Sequence, residues 1–400
     1  MNKKKVSIIL MFFIAVLSTF VFVKNNSNVE ITNEVNNKSK KNRNLLTMNL
    51  EQTAGAGDYK TVTQSEWPTE GYKFNTELSR CENGSELSWD DVNKKILMSG
   101  VSADKCYVYF DIARFDKLCN TSTLACHVAK LYTGTQGENG IYYHNTSLTN
   151  GAGDNNYRYV GANPNNYICL GSDATTCPDD NLFRIIGVFG DKVKVIKDKS
   201  VVKMHWDTSY YNTWSISSLN TYLNGTYLTS IGTLSDKIDV ATWKVGGNTW
   251  DNISVSTAKE VYDYEIKNPS TTASTGETEY SAKIGLMYVS DYMFAVLQDN
   301  WTLVAYNSND ATKDYRAVKA ENWLYLGSDE YTITRSSKYS FEVFAIYSSG
   351  EVYSYSVSCN SDEPLPCSVY AKYARPSFYL ISSVEYSGGT GTSSDPIRIK

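Results

Sequence analysis

Histidine is nearly missing from this chain: His127, His144 and His205 are the only three in 400 residues. His205 adjoins Trp206 and Asp207, but neighbours along a strand point to opposite faces, so the run is no catalytic dyad by itself. His127 falls on the apolar face of a helical stretch and reads as a core residue. No G-x-S-x-G, H-E-x-x-H or P-loop pattern occurs, which removes the commonest hydrolase and nucleotide-binding signatures. No cysteines are spaced C-x-x-C, so a structural zinc site and a thioredoxin-like dithiol are not expected. Charge excess is slight, with 38 basic against 43 acidic residues and a net charge of -5. Nucleic acid is therefore not an expected partner, since binding its backbone requires a basic stripe. These absences leave open one enzymatic chemistry, a pair of distant carboxylates for glycoside hydrolysis, which leaves no trace in a sequence.

Tyrosine is abundant: 31, beside 13 Phe and 8 Trp. An apolar ring with a polar tip suits half-exposed strands and also carbohydrate- or protein-binding surfaces. At the N-terminus Lys3, Lys4 and Lys5 precede an uncharged run over residues 6–23, closed by Lys24. The run is long enough for a thin hydrocarbon core. It holds no A-x-A cleavage site, and cutting after Val16-x-Ser18 would expose Thr19-Phe20-Val21-Phe22. An uncleaved anchor over residues 1–24 is therefore expected before a cleavable signal peptide. The lysine cluster puts the N-terminus inside and the body outside. The expected location is the cell membrane, single-pass with an extracellular body, or alternatively a secreted product.

The cysteines number eight and fall in close sequence pairs: Cys81 with Cys106, Cys119 with Cys126, Cys169 with Cys177, and Cys359 with Cys367. Eight cysteines allow about 105 connectivities, and local loop closure favours the nearest-neighbour set. Each short loop contributes about 2.5 kcal/mol in the chain-entropy account. Bridged cysteines also fit an exported body.

Residues 25–47, rich in Asn and Lys, read as a disordered tether. Residues 48–112 alternate in short runs, with Trp89 lying between Cys81 and Cys106, and read as a small β-sandwich-like module of immunoglobulin flavour stapled by that pair. From residue 113 a helical period (Leu124, His127, Val128, Leu131, with caps at Thr121 to Thr123) leads into a larger domain over residues 113–400. A long Gly-, Asn- and Asp-rich loop spans residues 134–181, with the segments YRYVG and NYICLG read as strands within it. After it, Leu182–Phe189 and the alternation from Lys192 predict a hairpin about Gly190-Asp191. Ser215 and Ser217 then precede Leu219, Tyr222 and Leu223, which predicts a short amphipathic helix stopped by Gly225. Residues 251–255 read as a strand. The fold class is α+β, β-rich, with the small sandwich-like module followed by a larger mixed antiparallel domain. Arg184 and Arg375 sit within apolar strands, where each is expected to pair with a carboxylate.

The runs NLFRIIGVF, WSISSLNTYLNGTY, KIGLMYVSDY, ENWLYL, ARPSFYL and GGTGTSSDPIRI together resemble a group of exported proteins of gut-associated Gram-positive-type bacteria, over roughly residues 120–400. That resemblance implies location and modular construction, and brings no chemistry with it. The order of helix, long irregular loop, Trp-bearing polar loops and late strands is also similar to C-type-lectin-like domains. The Glu-Pro-Asn type sugar motif of those domains is not in its usual late-loop place. Asn163-Pro164-Asn165 comes early, and Gln298-Asp299-Asn300-Trp301 has no proline.

Two sets of side chains are candidates for a site. Asp154, Asn155 and Asn156, with Asp173, Asp179, Asp180 and Asn181, offer hard oxygens that would take Ca²⁺ as cofactor, although no EF-hand pattern is present. Trp206, Trp214 and Trp323, each beside Asp, Asn or Ser, are the type of ring that stacks on a sugar. The predicted ligand surface joins the 134–181 loop to the Trp206–Trp214 turn, with Trp206, Asp207, Trp214, Asp179, Asp180 and Asn155 on one rim. The expected function is an extracellular, membrane-tethered surface protein that binds a glycan or a protein partner. The alternative is a secreted carbohydrate-active enzyme using paired carboxylates.

Overall fold

The computed structural model describes residues 29–31, 45–52, 56–63, 72–90, 93–101, 103–119, 122–248, 253–269, 277–357 and 371–400. The anchor run of residues 6–23 and Thr121 lie outside them. No helix among the described residues is long and apolar enough to cross a membrane. The chain divides into two compact units, Met1–Arg114 and Phe115–Lys400.

The first unit is built on two sheets. One is five-stranded, with Tyr59–Val62, Leu45–Glu51, Lys105–Ile112 and Tyr72–Phe74 in that order, and Arg80–Cys81 also paired to Lys105–Ile112. The other aligns Val29–Ile31, Lys95–Ser99 and Glu86–Asp90. Alternation along the strands sends Met48, Leu50, Val108 and Phe110 of the first sheet and Ile96 of the second into one core, with Trp89 packed against it. Three expectations are corrected here. Val29–Ile31 and the start of Leu45–Glu51 fall in the stretch assigned to a tether, yet both are strands. Each pairs in parallel, with Lys95–Ser99 and Lys105–Ile112 respectively, and immunoglobulin sheets are antiparallel. The Cys81–Cys106 bridge joins register partners on neighbouring strands of one sheet, so it is a cross-strand link and not a staple between sheets.

The second unit carries the central hairpin. Leu182–Phe189 and Lys192–Lys197 pair antiparallel about Gly190, whose φ of 62° suits the tight turn. The register slips at Gly187, where an added Cβ would lie 1.9 Å from the Tyr157 carbonyl oxygen. Only glycine lets the neighbouring strand come so close. The hairpin is flanked by Tyr157–Tyr159 and Ile141–Tyr143 on one side and by Ser377–Tyr379 and Ile284–Gly285 on the other. A second sheet orders Val202–Met204, Lys372–Ala374, Glu330–Ser336, Glu342–Ile346 and Val352–Ser356. The whole is β-rich with few helices, and both sheets contain mostly antiparallel neighbours.

Helix starts follow their caps. The Thr123 side chain accepts from the Cys126 N–H at the head of Leu124–Ala129, and Ser217 accepts from the Asn220 N–H at the head of Ser218–Tyr222. Gly225 does not stop the latter helix. The backbone continues as a π segment over Leu223–Tyr227 and then Leu228–Ser230, because Leu219, Leu223 and Tyr227 all bury against the second core. Ile253 and Ser254 are helical, not strand. The two strands expected within the 134–181 stretch form as Tyr157–Tyr159 and Tyr167–Cys169, and with a third segment, Ile141–Tyr143, they join the hairpin sheet.

All six cysteines among the described residues are bridged, as Cys81–Cys106, Cys119–Cys126 and Cys169–Cys177. The fourth expected bridge does not join this set: Cys359 and Cys367 both lie outside the described residues.

Candidate ligand-binding cleft

The predicted rim does not form. Trp206 and Trp214 are completely buried, their rings 5.1 Å apart, and Trp206 also meets Tyr331 edge-on at 5.7 Å. A sugar-stacking ring needs an open face, and these two have none. They fill the core beneath the second sheet together with Leu219 and Leu223. Asp207 is buried beside them, and its carboxylate accepts from the backbone N–H groups of Ser209, Tyr211 and Ser218. Its role is to tie the turn to the helix start. Asp179 and Asp180 are exposed, and Asp179 pairs with Lys199 at 2.6 Å. Asn155 accepts from the Tyr143 hydroxyl at 2.8 Å. Cys169 faces Leu182 while Tyr157 faces Val188. Asp179 and Asp180 therefore stand at one end of the Leu182–Phe189 strand and Asn155 at the other, about 20 Å away.

Two of the three histidines pack against aromatic rings. His144 is fully buried against Phe294 and Trp301, and its Nδ1 accepts from the Ala152 N–H at 3.1 Å. Burial, followed by the Arg158 charge, pushes its pKa well down, so the ring stays neutral. His127 is half-buried and stacked on Tyr386 at 3.6 Å. One group among the described residues has the spacing of a metal site, Cys81, Asp104 and Cys106. Its two sulfurs are joined to each other, and the Asp104 carboxylate accepts from the backbone N–H groups of Asn83 and Ser85.

A concave surface lies elsewhere on the 134–181 stretch. Residues 160–166 leave the Tyr157–Tyr159 strand and turn back into Tyr167–Cys169. Residues 160–165 of this turn, with Leu131, Asn139, Gly140 and Thr390, line a cleft of about 480 Å³. Its lining holds three exposed asparagines, Asn139, Asn163 and Asn165, and the hydroxyl of Thr390, but no charged side chain. Backbone bonds anchor the turn on several sides. The Val160 N–H donates to Gly140, the Gly161 N–H to Ala295 at 2.8 Å, and the Trp323 N–H to the Gly161 carbonyl at 3.1 Å. At the rim the Tyr167 N–H donates to the Gly391 carbonyl. Gly391 has a φ of 80°, and a Cβ there would lie 2.3 Å from the Asn165 carbonyl oxygen.

Arg184 organises this turn from below. Among the described residues it has no carboxylate partner, contrary to expectation. Its guanidinium carbon lies over the rings of Tyr167 and Trp323, 4.2 and 4.6 Å from their centroids. Nε donates to Asn166 Oδ1 at 2.8 Å, and Nη2 reaches the Pro164 carbonyl at 3.3 Å and Asn163 Oδ1 at 3.4 Å. Burial pushes its pKa down to about 10, so the charge persists at neutral pH. A flat, multiply donating cation suits this slot because it satisfies several loop oxygens while resting against two aromatic rings. Trp323, the third candidate platform, is buried as one wall of that slot and donates from its indole to the Tyr159 carbonyl at 3.0 Å. Arg375 does pair with an acid, Glu330, at 2.5 Å.

Sequence reasoning noticed Asn163-Pro164-Asn165 only as a misplaced lectin motif. It missed Asn139 and Thr390, whose meeting with that tripeptide has no local signature. No family model, curated protein or solved structure matches the chain.

Proposed function

We propose that this chain is an exported, membrane-tethered surface protein whose second unit binds a neutral glycan in the cleft at residues 160–165. The observation that carries the reading is the uncharged, asparagine- and threonine-lined concavity on a turn held in advance by Arg184. Side-chain amides offer a donor and an acceptor side by side, which matches the hydroxyls of a sugar, and each hydroxyl can answer as either. The volume falls in the ordinary range for small-molecule sites. A turn already fixed by the guanidinium loses little freedom on binding. Export is supported by the lysine-flanked run of residues 6–23 and by three sequence-neighbour disulfides. The first unit, with two sheets sharing one core, is read as a small sandwich-like spacer. The second is read as a mixed β platform; its lectin-like resemblance rests on element order alone. The enzymatic alternative needs a pair of carboxylates facing a concave surface, and none lines this cleft.

The test is saturable binding of the full chain on an array of neutral and charged glycans. Ala162→Trp, which fills the cleft from an exposed position, and Asn165→Ala should each weaken binding by about tenfold or more, the loss of roughly one or two hydrogen bonds, with an unchanged melting temperature. Binding that survives Ala162→Trp, or confinement of binding to acidic glycans, would remove the cleft from consideration. In cells, the chain should resist carbonate extraction, and external protease should remove its body.

A further inference from the structure

The central hairpin sheet holds a buried lysine of unusual surroundings. Lys194 lies mid-strand in Lys192–Lys197, and its side chain is 1% exposed. Its Nζ stands 2.5 Å from Oδ2 of Asp291, in the first turn of the helix Val289–Phe294. Asp291 is itself buried and accepts from the Tyr288 N–H at 2.8 Å. Around the amine are the rings of Tyr288, Trp243, Phe189 and Tyr379, with centroids at 4.5 to 5.6 Å. A third buried group, Glu265, accepts from the N–H groups of Val289 and Ser290, the two residues before Asp291, and from the Thr334 hydroxyl. It thus shares the start of the helix with Asp291.

Other buried ion pairs of the unit are built differently. Arg158 bonds both oxygens of Asp154, at 2.9 and 2.5 Å, and Arg375 bonds Glu330 and the Leu324 carbonyl. Those guanidinium groups spend several donors, and a guanidinium does not readily condense with a carboxyl. The Lys194 amine, with three donors when charged, has one hydrogen bond among the described residues, to Asp291. Burial, with Arg158 nearby, lowers its pKa and favours the neutral, nucleophilic amine. Burial likewise raises the Glu265 carboxyl, to about 7, so it can both give and take a proton near neutrality.

We propose that Lys194 and Asp291 condense within the folded chain into an amide between Nζ and Cγ, with Glu265 carrying the proton. Proton transfer from the ammonium to the carboxylate leaves an amine and a carboxylic acid. The Nζ lone pair attacks Cγ and forms the N–C bond while the carbonyl electrons move onto oxygen. Glu265 takes a proton from Nζ and delivers it to the departing hydroxyl. The C–O bond breaks, water leaves, and Glu265 returns to its starting state. Nothing is oxidised or reduced and no co-reactant enters. The product replaces an under-bonded ammonium with an amide bearing a single N–H. It also welds the hairpin to a helix residue 97 positions further along the chain.

The experiment is the intact mass of the full chain after reduction and alkylation, followed by peptide sequencing. The expected mass is one water below that of the sequence, and digestion should yield a branched peptide joining Lys194 to Asp291. Lys194→Arg should restore the full mass. Glu265→Gln should slow cross-linking by about 100-fold, the usual worth of a positioned proton carrier, and the two fractions are read from the same spectrum. Full mass with separate Lys194 and Asp291 peptides from a folded chain would overturn the proposal. So would a missing water that maps to any other residue. Because the decisive measurement is made on the unaltered chain, a variant that fails to fold does not blunt it.

Discussion

Trp206 shows how one side chain divides two functional accounts. A platform tryptophan can be trimmed without harm to the fold, whereas Trp206 contacts Trp214 and Tyr331 with no exposed surface. Trp206→Ala should therefore cost about 3–5 kcal/mol through the lost ring and the cavity left behind. Chemical denaturation measures it, and an unchanged midpoint would return the residue to the surface. Glu265 gives a second prediction at this scale. Burial raises its carboxyl from 4.5 to about 7 in the folded chain. Between those values the native state holds more protons than the unfolded one, so stability falls as pH rises from 4.5 to 7 and levels off above. Glu265→Gln should remove this slope, read from urea midpoints at pH 5 and pH 7.5. A slope in the variant as steep as in the wild type would assign the effect to another group.

At the scale of elements, two glycines should respond to alanine in opposite directions. At Gly187 the new Cβ meets the Tyr157 carbonyl oxygen and, at 3.1 Å, the Arg158 Cα. Both are backbone of a paired strand that cannot swing aside. Gly187→Ala should cost about 3 kcal/mol as an overpacking change. At Gly225 nothing lies within 4 Å, and the residue sits inside a continuous helical run. Gly225→Ala should add about 0.5–1 kcal/mol by limiting the unfolded backbone. Thermal melts of both variants decide this, and destabilisation at Gly225 would imply that the helix breaks there in solution. The hairpin and the Ser217 cap were legible because each is written in adjacent residues: an alternating period, a Gly-Asp turn, a hydroxyl before an apolar stripe. The continuation past Gly225 was not, since burial of Tyr227 against the second core outweighs the local cost of one glycine.

For the whole molecule, the division at Arg114 implies two cooperative transitions. The Cys81–Cys106 bridge belongs wholly to the first unit. Replacing both cysteines by serine should lower one calorimetric transition, by roughly 2–4 kcal/mol in stability, and leave the other in place. Movement of both transitions together would mean that the two units melt as one.

Sequence alone sufficed for what depends on neighbours along the chain. The β-rich character, the central hairpin, the helix caps and the three described disulfides all follow from period, turn chemistry and short loop closure. Tertiary structure decided everything that depends on distant segments meeting. Lys192–Lys197 pairs with Ser377–Tyr379, and Thr390 joins Asn139 and Asn163 at the cleft. Trp206 turns inward because Tyr331 and Trp214 arrive to cover it. A tryptophan beside an aspartate has the same local sequence on a surface as in a core. Only the packing that removes it from water distinguishes the two, and part of that packing comes from Tyr331, 125 positions away.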